Sequence, residues 1–119
     1  TTAADLPGVP EHKTICHVGK GAVLPFMDRG TVYDRKLREK ALAVAAKHGI
    51  PTQTKQMIAG GTDASVIQRS AGAVPVIGIA AALRNIHSPA SIGSISDFNA
   101  VYWLTKLMMT EIFKENEEE

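Results

Sequence analysis

The sequence predicts an α/β domain: a layered, largely parallel sheet flanked by helices. Three observations predict it. Apolar residues recur at helical spacing over 35–47 and again over 98–114, alternation with a period of two marks 52–58, and an unbroken apolar run of strand length fills 74–80. The resulting order is strand, helix, strand, helix, strand, helix, and right-handed crossovers place the helices over the sheet faces. No internal repeat and no linker interrupts the chain, so residues 1–119 read as a single domain.

Taken in order, residues 5–13 hold two prolines and a glycine and read as a loop. Thr14–His17 is a short strand candidate, and Gly19-Lys20-Gly21 is a tight turn. It lacks the longer glycine pattern ending in Lys-Ser or Lys-Thr that would mark a phosphate loop. Ala22–Met27 reads as a strand, with Pro25 assigning it to an edge or a bulge because proline has no N–H to donate. Over Arg35–Lys47, the residues Leu37, Ala41, Val44, Ala45 and His48 form one helical stripe. Asp34 serves as its N-cap or first-turn acid, while Gly49-Ile50-Pro51 stops it. His48 stands at the C-terminal end, where positive charge suits the helix dipole.

Thr52–Ile58 reads as a strand with one wet face. Gly60-Gly61 turns the chain, and Thr62 or Asp63 caps a short helix over 64–70. Val74–Ala80 reads as a strand buried on both faces, reaching its end at Arg84, Asn85 and His87. Ser88-Pro89 then turns, and Ser91–Ile95 is a connector or short strand. Asp97 caps the last helix, Phe98 to about Lys114, with Val101, Leu104, Leu107 or Met108, Ile112 and Phe113 inward. Glu115–Glu119 reads as a solvated, fraying tail.

Composition narrows the function. Thirteen Lys and Arg against twelve Asp and Glu give no electrostatic support for nucleic acid or an anionic membrane as partner. No segment has the form of a signal peptide, and no apolar run is long enough to span a bilayer. The single cysteine, Cys16, fits a reducing cytoplasm and has no sequence-level catalytic partner. The opening Thr1-Thr2-Ala3-Ala4-Asp5-Leu6-Pro7-Gly8 reads as the middle of a longer chain.

Chemistry concentrates at two loops, Gly60-Gly61-Thr62-Asp63-Ala64 and Arg84-Asn85-Ile86-His87-Ser88-Pro89. Ligands bind beyond the carboxyl ends of strands in open α/β sheets, so both loops are expected to face one cleft. His87 is the side chain there suited to bind a metal or shuttle a proton near neutral pH. The glycine bend has two readings. It is a strand, turn and capped helix, or it aims backbone N–H groups at a carboxylate or developing oxyanion. A phosphate site is disfavoured because Asp63 would repel an anion. His12 and His17 are poorly spaced to chelate, and Asp5, Asp63 and Asp97 each have a turn or capping role.

The motifs Asp5-Leu6-Pro7-Gly8-Val9-Pro10-Glu11-His12, Gly19-Lys20-Gly21, Gly49-Ile50-Pro51, Gly60-Gly61-Thr62-Asp63-Ala64, Val74-Pro75 and Ile86-His87-Ser88-Pro89 follow one another in order. Together they resemble the C-terminal part of the catalytic domain of glutamyl and deblocking aminopeptidases, over essentially the whole chain. The resemblance implies a cytoplasmic exopeptidase with two divalent ions, zinc or cobalt, that removes N-terminal residues from peptides. Full-length relatives of this kind often assemble as tetrahedral dodecamers. It further implies that His87 is the last metal ligand, that Gly60, Gly61, Thr62 and Asp63 form the wall of the substrate site, and that Arg84 shapes the pocket for the first side chain. The other ligands and the glutamate base belong to sequence upstream, so no catalytic base is expected here and the chain alone is expected to be inactive. Asp5 is not expected to be a ligand. Ala82, Asn85 and Gln68 depart from the family pattern at positions that bear on substrate preference. The alternative is an α/β assembly or interaction module without chemistry. Apolar surface left uncovered is expected to drive dimers or larger species.

Overall fold

The computed structural model describes residues 2–118, with side chains through Lys114 at the C-terminal end. The elements in order are β1 (Thr2–Ala3), a 3-10 turn (Glu11–Lys13), β2 (Ala22–Leu24), α1 (Arg35–Lys47), β3 (Thr52–Thr54), α2 (Ala64–Gln68), β4 (Ala82–Arg84), β5 (Ile92–Gly93) and α3 (Ile95–Glu118). Two small sheets result, β1-β4-β5 and β2-β3. The β1–β4 and β2–β3 pairs are parallel and β4–β5 is antiparallel, so the α/β class holds with a mixed sheet. Val23 and Ala80 exchange both backbone hydrogen bonds, at 2.7 and 3.0 Å, and tie the two sheets together.

The core follows from the alternation of β2. Successive strand residues point to opposite faces. Ala22 and Leu24 accordingly pack with Ala41, Val44 and Ala45 of α1 and with Ala100, Leu104 and Met108 of α3. Val23 points the other way, into a second cluster with Cys16 and Ala82. Full burial of a side chain such as Leu104 contributes about 1.5–3 kcal/mol. α1 has the bounds its pattern predicts, and the Asp34 carboxylate caps it by accepting from the Leu37 amide at 2.8 Å.

Several expected elements differ. Thr14–His17 joins no ladder. The Gln53 side chain stands in for a strand there, accepting from the His17 amide at 2.8 Å and donating to its carbonyl at 2.7 Å. β2 ends before Pro25, and β3 ends at Thr54 instead of running to Ile58. The apolar run Val74–Ala80 is not a doubly buried strand. Its backbone has one bridge, at Ala80, its first residues are exposed, and the ladder forms later, at Ala82–Arg84.

Neither expected cap of α2 forms as predicted. Asp63 occupies the N-cap position with no side-chain hydrogen bond, and the helix stops at Gln68. Asp97 is no cap either, since α3 has already begun at Ile95. Instead Asp97 is fully buried, and its carboxylate accepts from the amides of Gly19 (2.7 Å) and Gly21 (2.8 Å). This clamps the tight turn before β2 onto α3. Phe113, expected inward, is exposed, and α3 keeps a helical backbone through the acidic segment to Glu118. The part of the expected fraying tail at Glu119, and the side chains from 115 onward, lie outside the described residues.

Candidate functional site

A cleft of about 800 Å³ opens beside the sheets. Gly60, Gly61, Thr62, Asp63 and Ala64 line one side, and Ile86 and His87 line it as well. The run Val76–Ala80 supplies apolar wall, so the segment expected as a buried strand serves the cleft instead. The two loops singled out in the sequence therefore meet at one site.

The glycine bend is anchored from below. Gly60 has φ +70, a left-handed conformation that glycine adopts without strain. A Cβ on Gly60 or Gly61 would meet nothing within 4 Å, so the missing side chains keep the cleft wall low instead of relieving crowding. The Gly60 carbonyl accepts from the Arg29 amide at 3.0 Å. Beneath it lies a buried polar network that the sequence reading passes over. Asp28 accepts from the amides of Gly30 (2.9 Å) and Thr31 (2.8 Å) and from the Tyr33 hydroxyl (2.7 Å), whose oxygen lies 3.4 Å from the Thr62 hydroxyl. Burial raises the Asp28 carboxyl, but these donors outweigh it and hold the group below the ordinary carboxylate range. Burial pushes the Tyr33 phenol up, and the Asp28 carboxylate pushes it the same way, so Tyr33 stays a donor. The pattern Asp28-x-Gly30-Thr31 is an Asx-turn signal that points to this network.

His87 stands three residues beyond the end of β4, exposed, with φ +63; Asn85 has φ +57. Two non-glycine residues in the left-handed region are costly unless neighbours hold them. Here the Ser88 hydroxyl oxygen lies 2.6 Å from the carbonyls of both Asn85 and Ala90, and the Ser91 hydroxyl donates to Asn85 at 3.0 Å.

Residues 1–104 match the family model of the M42 glutamyl aminopeptidases. The chain belongs to the M42 glutamyl aminopeptidase family. It is 32% identical over 101 residues to a lysyl aminopeptidase of Pyrococcus furiosus, covering 84% of this chain and 28% of that protein. The crystal structure of a TET aminopeptidase from a marine sediment Thaumarchaeota archaeon superposes with a TM-score of 0.80 at 34% identity, covering 87% of this chain and 29% of that one. The TET1 peptidase of Pyrococcus horikoshii, which can assemble into a tetrahedron or a large octahedral shell, superposes with a TM-score of 0.64 at 27% identity, covering 90% and 28%. This M42 chain thus spans less than a third of the length of each of these relatives.

Within the M42 chain, the remaining candidates fall away from the cleft. Arg84 does not line it. Its guanidinium pairs with the Asp5 carboxylate and donates through Nε to the Asp5 carbonyl at 2.8 Å, fastening β4 to the N-terminal segment. Burial raises the Asp5 carboxyl, but the Val18 amide at 2.9 Å and Arg84 together leave it below its ordinary value. His17 pairs with Glu11 at 2.9 Å, and His48 forms the C-cap of α1. Cys16 is buried and donates to the Ala3 carbonyl. Burial pushes its thiol up to about 11, so it is inert as a nucleophile.

Among the described residues, no three His, Cys, Asp or Glu side chains converge as a metal site. The donors among the described residues do not fit a two-ion centre by themselves, since each ion needs several protein ligands. What the cleft offers is one exposed imidazole, His87, and one exposed carboxylate, Asp63, with Asp28 already taken up by Gly30, Thr31 and Tyr33. Among the described residues, no helix is long and apolar enough to cross a membrane.

Proposed function

We propose that this chain forms one corner of an aminopeptidase active site. The observation that carries the reading is that His87 and the Gly60–Ala64 bend line the same cleft. In this reading Gly60, Gly61, Thr62 and Asp63 are the wall against which a peptide's N-terminal residue lies. The absence of Cβ atoms at Gly60 and Gly61 lets peptide backbone approach closely. His87 is the single imidazole ligand the chain gives to a centre of two divalent ions, zinc or cobalt, whose other ligands come from outside these 119 residues. Such a centre, when complete, supplies an activated water for peptide hydrolysis. Arg84 acts on the substrate pocket only indirectly, by fixing the strand that leads to His87. The compartment that suits such a site and a buried free thiol is the cytoplasm.

The assembly reported for the TET1 relative supports a homo-oligomer here. Exposed Tyr102, Trp103, Met109 and Phe113 on α3 add apolar surface of the kind that drives association.

Two preparations test the reading. The 119-residue chain alone is expected to leave aminoacyl-p-nitroanilides intact. A chimera in which residues 1–104 replace the matching segment of the Pyrococcus furiosus lysyl aminopeptidase is expected to hydrolyse them and to stop on chelation. A well-folded chimera with no hydrolysis would favour the module without chemistry.

A further inference from the structure

Lys55 is the one lysine or arginine among the described residues that line the cleft. It is only 8% exposed. Lysine is almost never buried this deeply without a partner. Its ammonium donates to the Ala59 carbonyl, and Ala59 lines the cleft as well. An ammonium has three N–H donors, so one carbonyl leaves two to be met. No carboxylate among the described residues lies within ion-pair distance of it. The cleft does contain carboxylates. Asp28 is already committed to Gly30, Thr31 and Tyr33, and Asp63 lies exposed at the rim. A buried charge is costly until it is paired and hydrogen-bonded. Lys55 is thus a cation held in a low-dielectric wall, where an arriving anion gains more than it would at the surface.

We infer that Lys55 is a specificity-determining residue that pairs with a carboxylate of the peptide bound in this cleft. The inference rests on the peptidase reading and deepens it. A carboxylate can come from an acidic first side chain or from the C-terminus of a short peptide, and the chemistry at Lys55 is the same. A cationic first residue is disfavoured in the same cleft by like-charge repulsion, in contrast to what the name of the lysyl relative implies for that protein.

The test uses the 119-residue chain and four tripeptides: Glu-Ala-Ala, its C-terminal amide, Gln-Ala-Ala and its C-terminal amide. Binding is followed by NMR titration. At least one free carboxylate is expected to tighten binding by about tenfold or more over the Gln amide, the worth of one charge-assisted hydrogen bond. A gain in the Glu amide assigns the carboxylate to the side chain, and a gain in free Gln-Ala-Ala assigns it to the C-terminus; either supports the inference. The gain is expected to vanish in Lys55→Met and to survive in Lys55→Arg, with folding of both checked by their spectra. The comparison of peptides on the unaltered chain stands even if a variant fails to fold. Equal affinities for all four peptides would overturn the carboxylate site and leave the peptidase reading intact. Binding of none would likewise overturn the carboxylate site, while hydrolysis by the chimera decides the peptidase reading separately.

Discussion

Asp97 offers the most direct test of how this fold is held. Its carboxylate is fully buried and accepts two backbone amides, from Gly19 at 2.7 Å and Gly21 at 2.8 Å, more than seventy residues away in sequence. Asp97→Asn keeps an oxygen for one amide and turns an amino group toward the other. The amide left facing a donor costs about 1–3 kcal/mol, and the surviving bond loses charge assistance worth about 1 kcal/mol. The sum, about 2–4 kcal/mol, is a large part of the 5–15 kcal/mol typical of a domain. For a chain of this length it corresponds to a fall in Tm of about 8–16 °C. Asp97→Ala, which strands both amides, should fall further. The assay is thermal unfolding of the two variants beside Ser96→Ala, whose side chain is exposed. If Asp97→Asn melted within about 2 °C of the parent, less than 1 kcal/mol, the clamp between α3 and the turn would not be a stabilising feature.

Three other outcomes follow from the same geometry. Gly21 has φ +91, and a Cβ there would sit 2.1 Å from the Pro51 carbonyl oxygen, whereas Gly19 has φ +87 and open space. Gly19→Ala should cost about 1–2 kcal/mol in urea unfolding, and Gly21→Ala should exceed about 4 kcal/mol or fail to fold. The Asp5 and Asp28 carboxyls are both held below their ordinary values, so each stabilises the fold fully above the unfolded value of about 3.9. That contribution is lost as pH falls through the lower folded-state values, and Asp5→Asn should flatten stability against pH in that range. Light scattering of the purified chain at high concentration should show a dimer or larger species, and a clean monomer would contradict the proposed association.

How much of this was legible in the sequence depended on the range of the interactions. α1 was legible to the residue because its signals are local: a capping aspartate, one apolar stripe and a glycine stop. The meeting of His87 with the glycine bend was legible too, because loops at the carboxyl ends of strands converge in such sheets. The run 74–80 was misleading. Pro75 has no amide to give a ladder, and at Gly78 the Pro25 and Tyr33 side chains come within about 3 Å of where a Cβ would stand. The segment therefore packs by side-chain contact and walls the cleft. Asp97 was misread as a cap, and the pairing of Arg84 with Asp5 was not legible, because the partners lie 76–79 residues away, beyond any local pattern. α3 is apolar on more than one side, so periodicity alone did not determine that Phe113 faces out while Met108 faces in. Lys55 and the Asp28 network were hidden because burial of a polar group is a tertiary property.

His87 is proposed to serve a metal centre in the cleft that it lines together with the glycine bend. Zinc content per protomer and the rate of nitroanilide hydrolysis, measured together in the chimera and in its His87→Ala form, test it most directly. The account predicts that His87→Ala loses bound zinc and that hydrolysis falls by a hundredfold or more, on the order of 10–100-fold being the usual loss even from groups that only support a ligand. Full zinc occupancy with an unchanged rate in a folded His87→Ala chimera would contradict it.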